Sequence, residues 1–223
     1  MTTVIAFDVN ETLLDLRALD EPFEQVMGDA TLRAQWFALM LQVSFAGGVT
    51  GDYVDFTTAQ RAAFTMLAER LGIETGPDAA AAMVDRMSSL PAHPEVPDAL
   101  TELHQTSLQL VALTNSVAEV AEAQLTSAGI REHFDRVVSA DGVRRLKPAK
   151  EPYAAVADAC GTTLDEVRLV AAHWWDIDGA LSAGCKGAFV ARPGAVLSPV
   201  GPRPDIVEPD IAGVVRRILE TDL

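Results

Sequence analysis

The chain has 223 residues, 49% hydrophobic and 22% charged, a balance that excludes a disordered, collagenous or disulfide-built protein and leaves room for one large domain or a domain carrying an insertion. Its 17 basic against 32 acidic residues give a formal net charge of -15. That charge repels phosphate backbones and anionic membrane surfaces, so neither nucleic acid nor membrane partners are expected. Cys160 and Cys185 lie far apart in apolar helical patterns, which argues for core packing and against a disulfide framework or a metal cluster. The opening MTTVIAFDV has no basic region, and no stretch nears the roughly 18 apolar residues of a membrane span. A reducing cytoplasm is the expected location.

In chain order, a short apolar run at Thr3 to Val9 is the first expected strand. From about Leu16 to Leu90 the pattern turns helical, with TLRAQWFALMLQVSFAG and FTTAQRAAFTMLAERLG as its clearest segments. Pro91, Pro94 and Pro97 then predict a stiff, non-helical return. Further strands are expected at Leu108 to Ser116, Arg136 to Ala140, Val167 to His173 and Gly187 to Arg192. Between them, Val117, Val120, Ala121 and Leu125 make an apolar stripe starting from a Ser116 cap, and Tyr153, Val156, Ala157 and Cys160 make another stopped by Gly161. Alternation of this kind predicts an α/β fold: a Rossmann-like parallel sheet covered by helices, with an inserted all-helical cap. The expected boundaries are 1–15 and 93–223 for the core and 16–92 for the cap.

In such sheets ligands bind beyond the carboxyl ends of the strands, and the polar candidates fall there. Asp8 ends the first strand, Leu113 to Ser116 the second, Lys147 follows the third, and Ala172 to Asp178 end the fourth. Alone, Asp8 reads as a turn cap and Lys147 as a solvated lysine. Together they read as a carboxylate nucleophile and the cation that keeps it ionised. His93 and His104 are isolated and expected at the surface. Trp174 and Trp175 could stack on a base, but no basic residues interleave with them. No spacing suggests zinc, and Asp176 and Asp178 are the only magnesium ligands on offer.

The set FDVNETLLD, LTNS, LKPAKEPY and AAHWWDIDGA, in this order and with a helical insertion after the first motif, resembles the haloacid dehalogenase superfamily, in particular its 2-haloacid dehalogenases (type II) with a helical cap. The similarity spans essentially the whole chain. It implies Asp8 as nucleophile, Thr12 as support for its loop, and Thr114 and Asn115 as donors to the substrate carboxylate or leaving group. It also implies Lys147 as the charge partner of Asp8, Asp176 as the acid orienting Lys147, and Tyr153 as a pocket residue. Phe56 and Trp175 match aromatic positions lining the halide site. The implied reaction is hydrolytic dehalogenation of small 2-haloalkanoic acids to 2-hydroxy acids through an aspartyl ester. It needs no cofactor, and a small anionic substrate and a homodimer are the implied partners.

Four departures from that pattern carry information. Asn10 stands where the superfamily's phosphatases have the aspartate that protonates the leaving group, and an amide cannot do so. Phe37 stands where the dehalogenases carry an arginine after a tryptophan, leaving the substrate side of the cap without that cation. Glu11 replaces a glycine, and Ala171 and His173 replace a Ser-x-Asn. A histidine with a carboxylate partner is a general-base assembly, so Glu11 is expected to orient His173, and His173 to activate the water that opens the ester. A magnesium-dependent phosphatase and a catalytically silent binding protein are the alternatives.

Overall fold

In the computed structural model, which describes residues 1–223, β1 (Val4–Phe7) leads into α1 (Asp20–Met27), α2 (Leu32–Thr50), α3 (Phe56–Leu71) and α4 (Ala79–Asp85). The chain then passes through α5 (Val96–His104) into β2 (Gln109–Thr114). Thereafter helix and strand alternate: α6 (Ala118–Ser127), β3 (Arg136–Ser139), α7 (Lys150–Cys160), β4 (Val167–Ala171), α8 (Trp174–Ala183) and β5 (Lys186–Val190). β6 (Ile206–Glu208) and α9 (Ile211–Thr221) close the chain.

All six strands pair in parallel, in the order β3-β2-β1-β4-β5-β6. β1 therefore sits between β2 and β4 at the point where the winding reverses, and a crevice opens beyond its carboxyl end. Alternate residues serve two faces. Ile5 and Phe7 join the larger core, which runs without a break into the helical insertion through Trp36, Phe64 and Met87. Val4 and Ala6 join the smaller core under α7 and α8, which also takes in Cys185. No helix is long and apolar enough to cross a membrane.

The insertion is built from capped amphipathic helices. Gly51, at φ 83°, ends α2, and the Asp55 carboxylate accepts the Thr58 N–H at 2.9 Å to start α3, the side-chain cap that free helix amides require. The Trp36 indole N–H donates to the Gln60 carbonyl at 2.9 Å, fixing α2 against α3. The two chain crossings into and out of the insertion lie side by side. The Asp15 N–H donates to the Pro91 carbonyl at 2.8 Å, and the His93 N–H to the Leu13 carbonyl at 2.9 Å.

Three expectations need correction, and one strand had no expectation at all. Pro97 is not in a non-helical return: it sits in the first turn of α5, where its missing N–H has no helical acceptor to lose. Ser116 does not cap α6, which starts at Ala118 behind Val117 with no side-chain cap. His93 is buried, 8% exposed, because the two crossings enclose it. β6 was not anticipated. It is a three-residue edge strand in which Ile206 alone is buried, too short to print an apolar run.

At the sheet end opposite the crevice, Arg168 is fully buried and bonds Asp222 at 2.6 Å and Asp205 at 2.5 Å. Burial pushes the Asp222 carboxyl up, but hydrogen bonds from Arg168 and Thr2 prevail and hold it below the usual range. Its stabilising contribution is thus present above the ordinary carboxylate pKa of about 4 and fades as pH falls. Asp222→Ala is expected to lower unfolding stability by about 3 kcal/mol, since a buried guanidinium loses a partner. Urea titration at pH 7 measures it.

Candidate active site

Asp8 follows the last residue of β1 and is 5% exposed. Its N–H still donates to the Val170 carbonyl of β4 at 3.0 Å, so the carboxylate leaves a backbone that the sheet has fixed. Three donors meet it. The Lys147 ammonium reaches Oδ1 at 2.8 Å, while the Thr12 hydroxyl at 2.5 Å and His173 Nδ1 at 3.0 Å reach Oδ2. Thr12 Oγ1 in turn accepts the Ala172 N–H at 2.9 Å, tying the nucleophile loop to the end of β4.

Lys147, 1% exposed, also donates to Asp176 Oδ2 at 2.6 Å and to the Leu113 carbonyl at 3.0 Å. Burial would drive its ammonium towards neutrality, but Asp176 and Asp8 reverse this and keep it charged. Asp176 takes the Tyr153 hydroxyl on its other oxygen at 2.6 Å. Burial moves the two carboxyls bonded to Lys147 up alike; Asp176 stays raised, whereas Asp8 falls well below the usual carboxylate range. Asp8 has His173 as a second cation, and its own negative charge in turn raises Asp176. Asp8 is therefore the carboxylate held ionised and able to act as a nucleophile.

His173 Nε2 lies 3.0 Å from Glu11 Oε2. With Asp8 on one ring nitrogen and Glu11 on the other, the imidazole donates twice. Burial alone would lower its pKa, yet the two carboxylates raise it to about 10. Phe37 and Trp175 both stack on the ring, with centroids 5.5 Å apart at 14° and 5.0 Å apart at 24°. Glu11 has a φ of 61°, a left-handed backbone that costs a non-glycine residue about 1 kcal/mol. Its carboxylate also meets Arg33 Nη1 at 3.3 Å, and Arg33 Nε bonds Asp20 at 2.5 Å.

Of the residues expected at the site, Asp8, Glu11, Thr12, Lys147, Tyr153, His173 and Asp176 form one connected cluster. Phe37 and Trp175 wall it. Asn115 shapes it indirectly, its Oδ1 accepting the Lys147 N–H at 2.8 Å. Thr114 is buried, and its hydroxyl oxygen accepts the Ser116 N–H. Phe56 is buried in the larger core as the first residue of α3. The Asp178 carboxylate faces the backbone at Gly201, where an added Cβ would lie 2.8 Å from Oδ2.

Three participants escaped the sequence reading. Gln124 of α6, fully buried, donates its amide to Asn10 Oδ1 at 2.9 Å and to the Met87 carbonyl at 2.8 Å. The carbonyl fixes which end of Gln124 is the donor, so the Asn10 amide nitrogen must turn away, towards Ser116 Oγ at 3.4 Å. Arg192 donates twice to the Thr12 carbonyl, at 3.0 and 2.6 Å, and pairs with Glu95 at 2.9 Å. Arg33 completes the set. A polar residue on an apolar helix face was the one signal available for Gln124.

The match to known proteins is broad. Residues 2–184 fit the family described as haloacid dehalogenase-like hydrolase. The (S)-2-haloacid dehalogenase of Xanthobacter autotrophicus is 30% identical over 194 residues, covering 86% of this chain and 76% of that protein. Haloacetate dehalogenase H-2 of Moraxella sp. (strain B) is 26% identical, with 96% of both chains covered. In three dimensions, the L-2-haloacid dehalogenase structure from Xanthobacter autotrophicus superposes over 100% of both chains with a TM-score of 0.93 at 25% identity.

Proposed function

Because the chain belongs to the haloacid dehalogenase-like hydrolases, we propose that it displaces halide from C2 of small 2-haloalkanoic acids and releases the 2-hydroxy acid. The observation that carries this reading is Asp8, buried and held ionised between Lys147 and His173, with an amide rather than an acid two residues on. A halide departs without a proton, so Asn10 costs this reaction nothing. Curated relatives named as haloacid dehalogenases support the same chemistry.

Asp8 attacks C2, the carbon–halogen bond breaks with its electron pair leaving on the halide, and an ester forms at Asp8. His173 starts as an imidazolium and cannot take a proton at this stage. Esterification removes the negative charge that raises its pKa, leaving Glu11 as its remaining carboxylate partner. His173 then loses its proton to solvent and becomes a base. Water attacks the carboxyl carbon of Asp8 while His173 takes its proton, and the imidazolium returns that proton to the departing 2-hydroxy acid oxygen. Asp8, left as a carboxylic acid, gives its proton to the now neutral His173, which restores the carboxylate and the imidazolium, and one proton and one halide are released per turnover. Residues 16–92 act as the cap, presenting Phe37 to the core and excluding bulk water.

The magnesium-dependent phosphatase alternative has Asp8, Lys147, Asp176 and Asp178 in its favour, and against it Asn10, an amide where a proton donor to the leaving group is needed. Halide release from chloro-, bromo- and fluoroacetate and both 2-chloropropionates, with and without EDTA, tests the reading against phosphate release from a phosphomonoester. The expected outcome is EDTA-indifferent halide release, reduced on the order of 10³-fold or more in Asp8→Asn. Phosphate release without halide would replace it.

A further inference from the structure

Every cation in the hydrogen-bonded cluster around Asp8 is already committed. Lys147 lies between Asp8 and Asp176, His173 between Asp8 and Glu11, and Arg33 between Glu11 and Asp20. Three positive charges thus face four carboxylates. Arg192, behind the same loop, is bound to the Thr12 carbonyl and to Glu95. On the cap side, Phe37 lies flat on the His173 ring and presents an apolar face. The strand-end loop after β2 offers only neutral groups: the Thr114 hydroxyl, the Asn115 amide and Ser116.

A substrate carboxylate entering here adds a charge to a cluster that already has a carboxylate in excess, and meets no free cation. Repulsion at such range is strong in a partly dry site. An uncharged 2-haloacyl compound avoids that penalty while keeping what the displacement needs, a carbonyl next to the carbon that bears the halogen.

We propose that the site turns over neutral 2-haloacyl compounds, 2-haloacetamides above all, with kcat/KM within tenfold of the corresponding haloacid or better. This rests on the dehalogenation reading and widens its substrate class. Asp8 displaces halide from C2 of the amide, the halide carrying the bonding pair. Water then opens the Asp8 ester to give the 2-hydroxyacetamide, the halide and a proton. The carboxamide bond is untouched. Phe37 is the residue that admits this class, since a cation in its place would be free to face a carboxylate.

The test is halide release from bromoacetamide and chloroacetamide against bromoacetate and chloroacetate. Asp8→Asn serves as the control for alkylation of Cys160, Cys185 and other nucleophiles. The wild type is expected to show catalytic halide release from the amides that Asp8→Asn lacks, and Phe37→Arg to shift the amide-to-acid ratio at least tenfold towards the acid. A wild-type preference for the carboxylate greater than tenfold overturns the proposal, and this comparison decides even if Phe37→Arg fails to fold. Halide from the carboxylates alone overturns only this inference, whereas halide from neither class overturns the dehalogenation reading beneath it.

Discussion

Replacing His173 with alanine is expected to convert steady turnover into a single burst of halide, one equivalent per active site, followed by release slowed by about 10² to 10⁴-fold. The displacement step loses a donor to Asp8 but keeps Lys147 and Thr12. Ester hydrolysis loses its base. Mass spectrometry of the quenched protein should find the substrate's carboxyalkyl group, joined through C2, on the peptide containing Asp8. Steady release at the wild-type rate would remove His173 from the second half-reaction. In the wild type, kcat should rise with pH through an apparent pKa below the resting value of about 10, because esterified Asp8 no longer supports the imidazolium and Glu11 still does. Glu11→Gln should move that limb further down.

Lys147→Met should damage both activity and stability. In the native protein this one ammonium stands between two buried carboxylates; without it they face each other across an apolar side chain. Loss of about 3–5 kcal/mol is expected at pH 7, the size seen when one member of a buried ion pair is removed. Halide release should fall on the order of 10³-fold, as Asp8 is no longer held ready to attack. The contribution of Asp8 to the pH dependence should reverse sign. Asp8 in the wild type is held below its ordinary pKa, so its contribution is present above about pH 4 and lost below it. In the variant the pair binds protons more readily folded than unfolded, so in urea unfolding the gain in stability from pH 8 to pH 5 should exceed the gain that the raised His173 already gives the wild type. Arginine is not expected to rescue, because its planar fork does not fit a point charge held by three oxygens.

How much of this was legible in the sequence depended on where each residue sits along the chain. Asp8, Lys147, His173 and Asp176 follow strands whose apolar runs are plain, so the strand-end rule alone gathers them, and the family resemblance supplied their roles. The expectation that Glu11 orients His173 requires the first and fourth predicted strands to be neighbours, and β1 and β4 do pair in register from Val4 with Val167 to Phe7 with Val170. Gln124 could not be anticipated. Its partner Asn10 is 114 residues away, and the Met87 carbonyl it also binds belongs to the end of the insertion, whose position over the core no local pattern encodes. Arg192 bonds a backbone carbonyl, which has no residue identity to read. His93 looked solitary for the same reason: what buries it is the meeting of two crossings far apart in sequence.

The left-handed backbone at Glu11 has a consequence for how this site could have arisen. A glycine would occupy φ 61° without strain, so glutamate there is tolerable only while its carboxylate has something to hold. Arg33 gives a part of that, and His173 the rest. Acquiring Glu11 first burdens the fold, and acquiring His173 first places a second cation beside Asp8 with one carboxylate to support it. The two substitutions form a linked pair: each is harder to accept alone than after the other. Reverting both, to glycine and asparagine, should disturb the fold less than the two single reversions together suggest, a signature of a step taken as a unit.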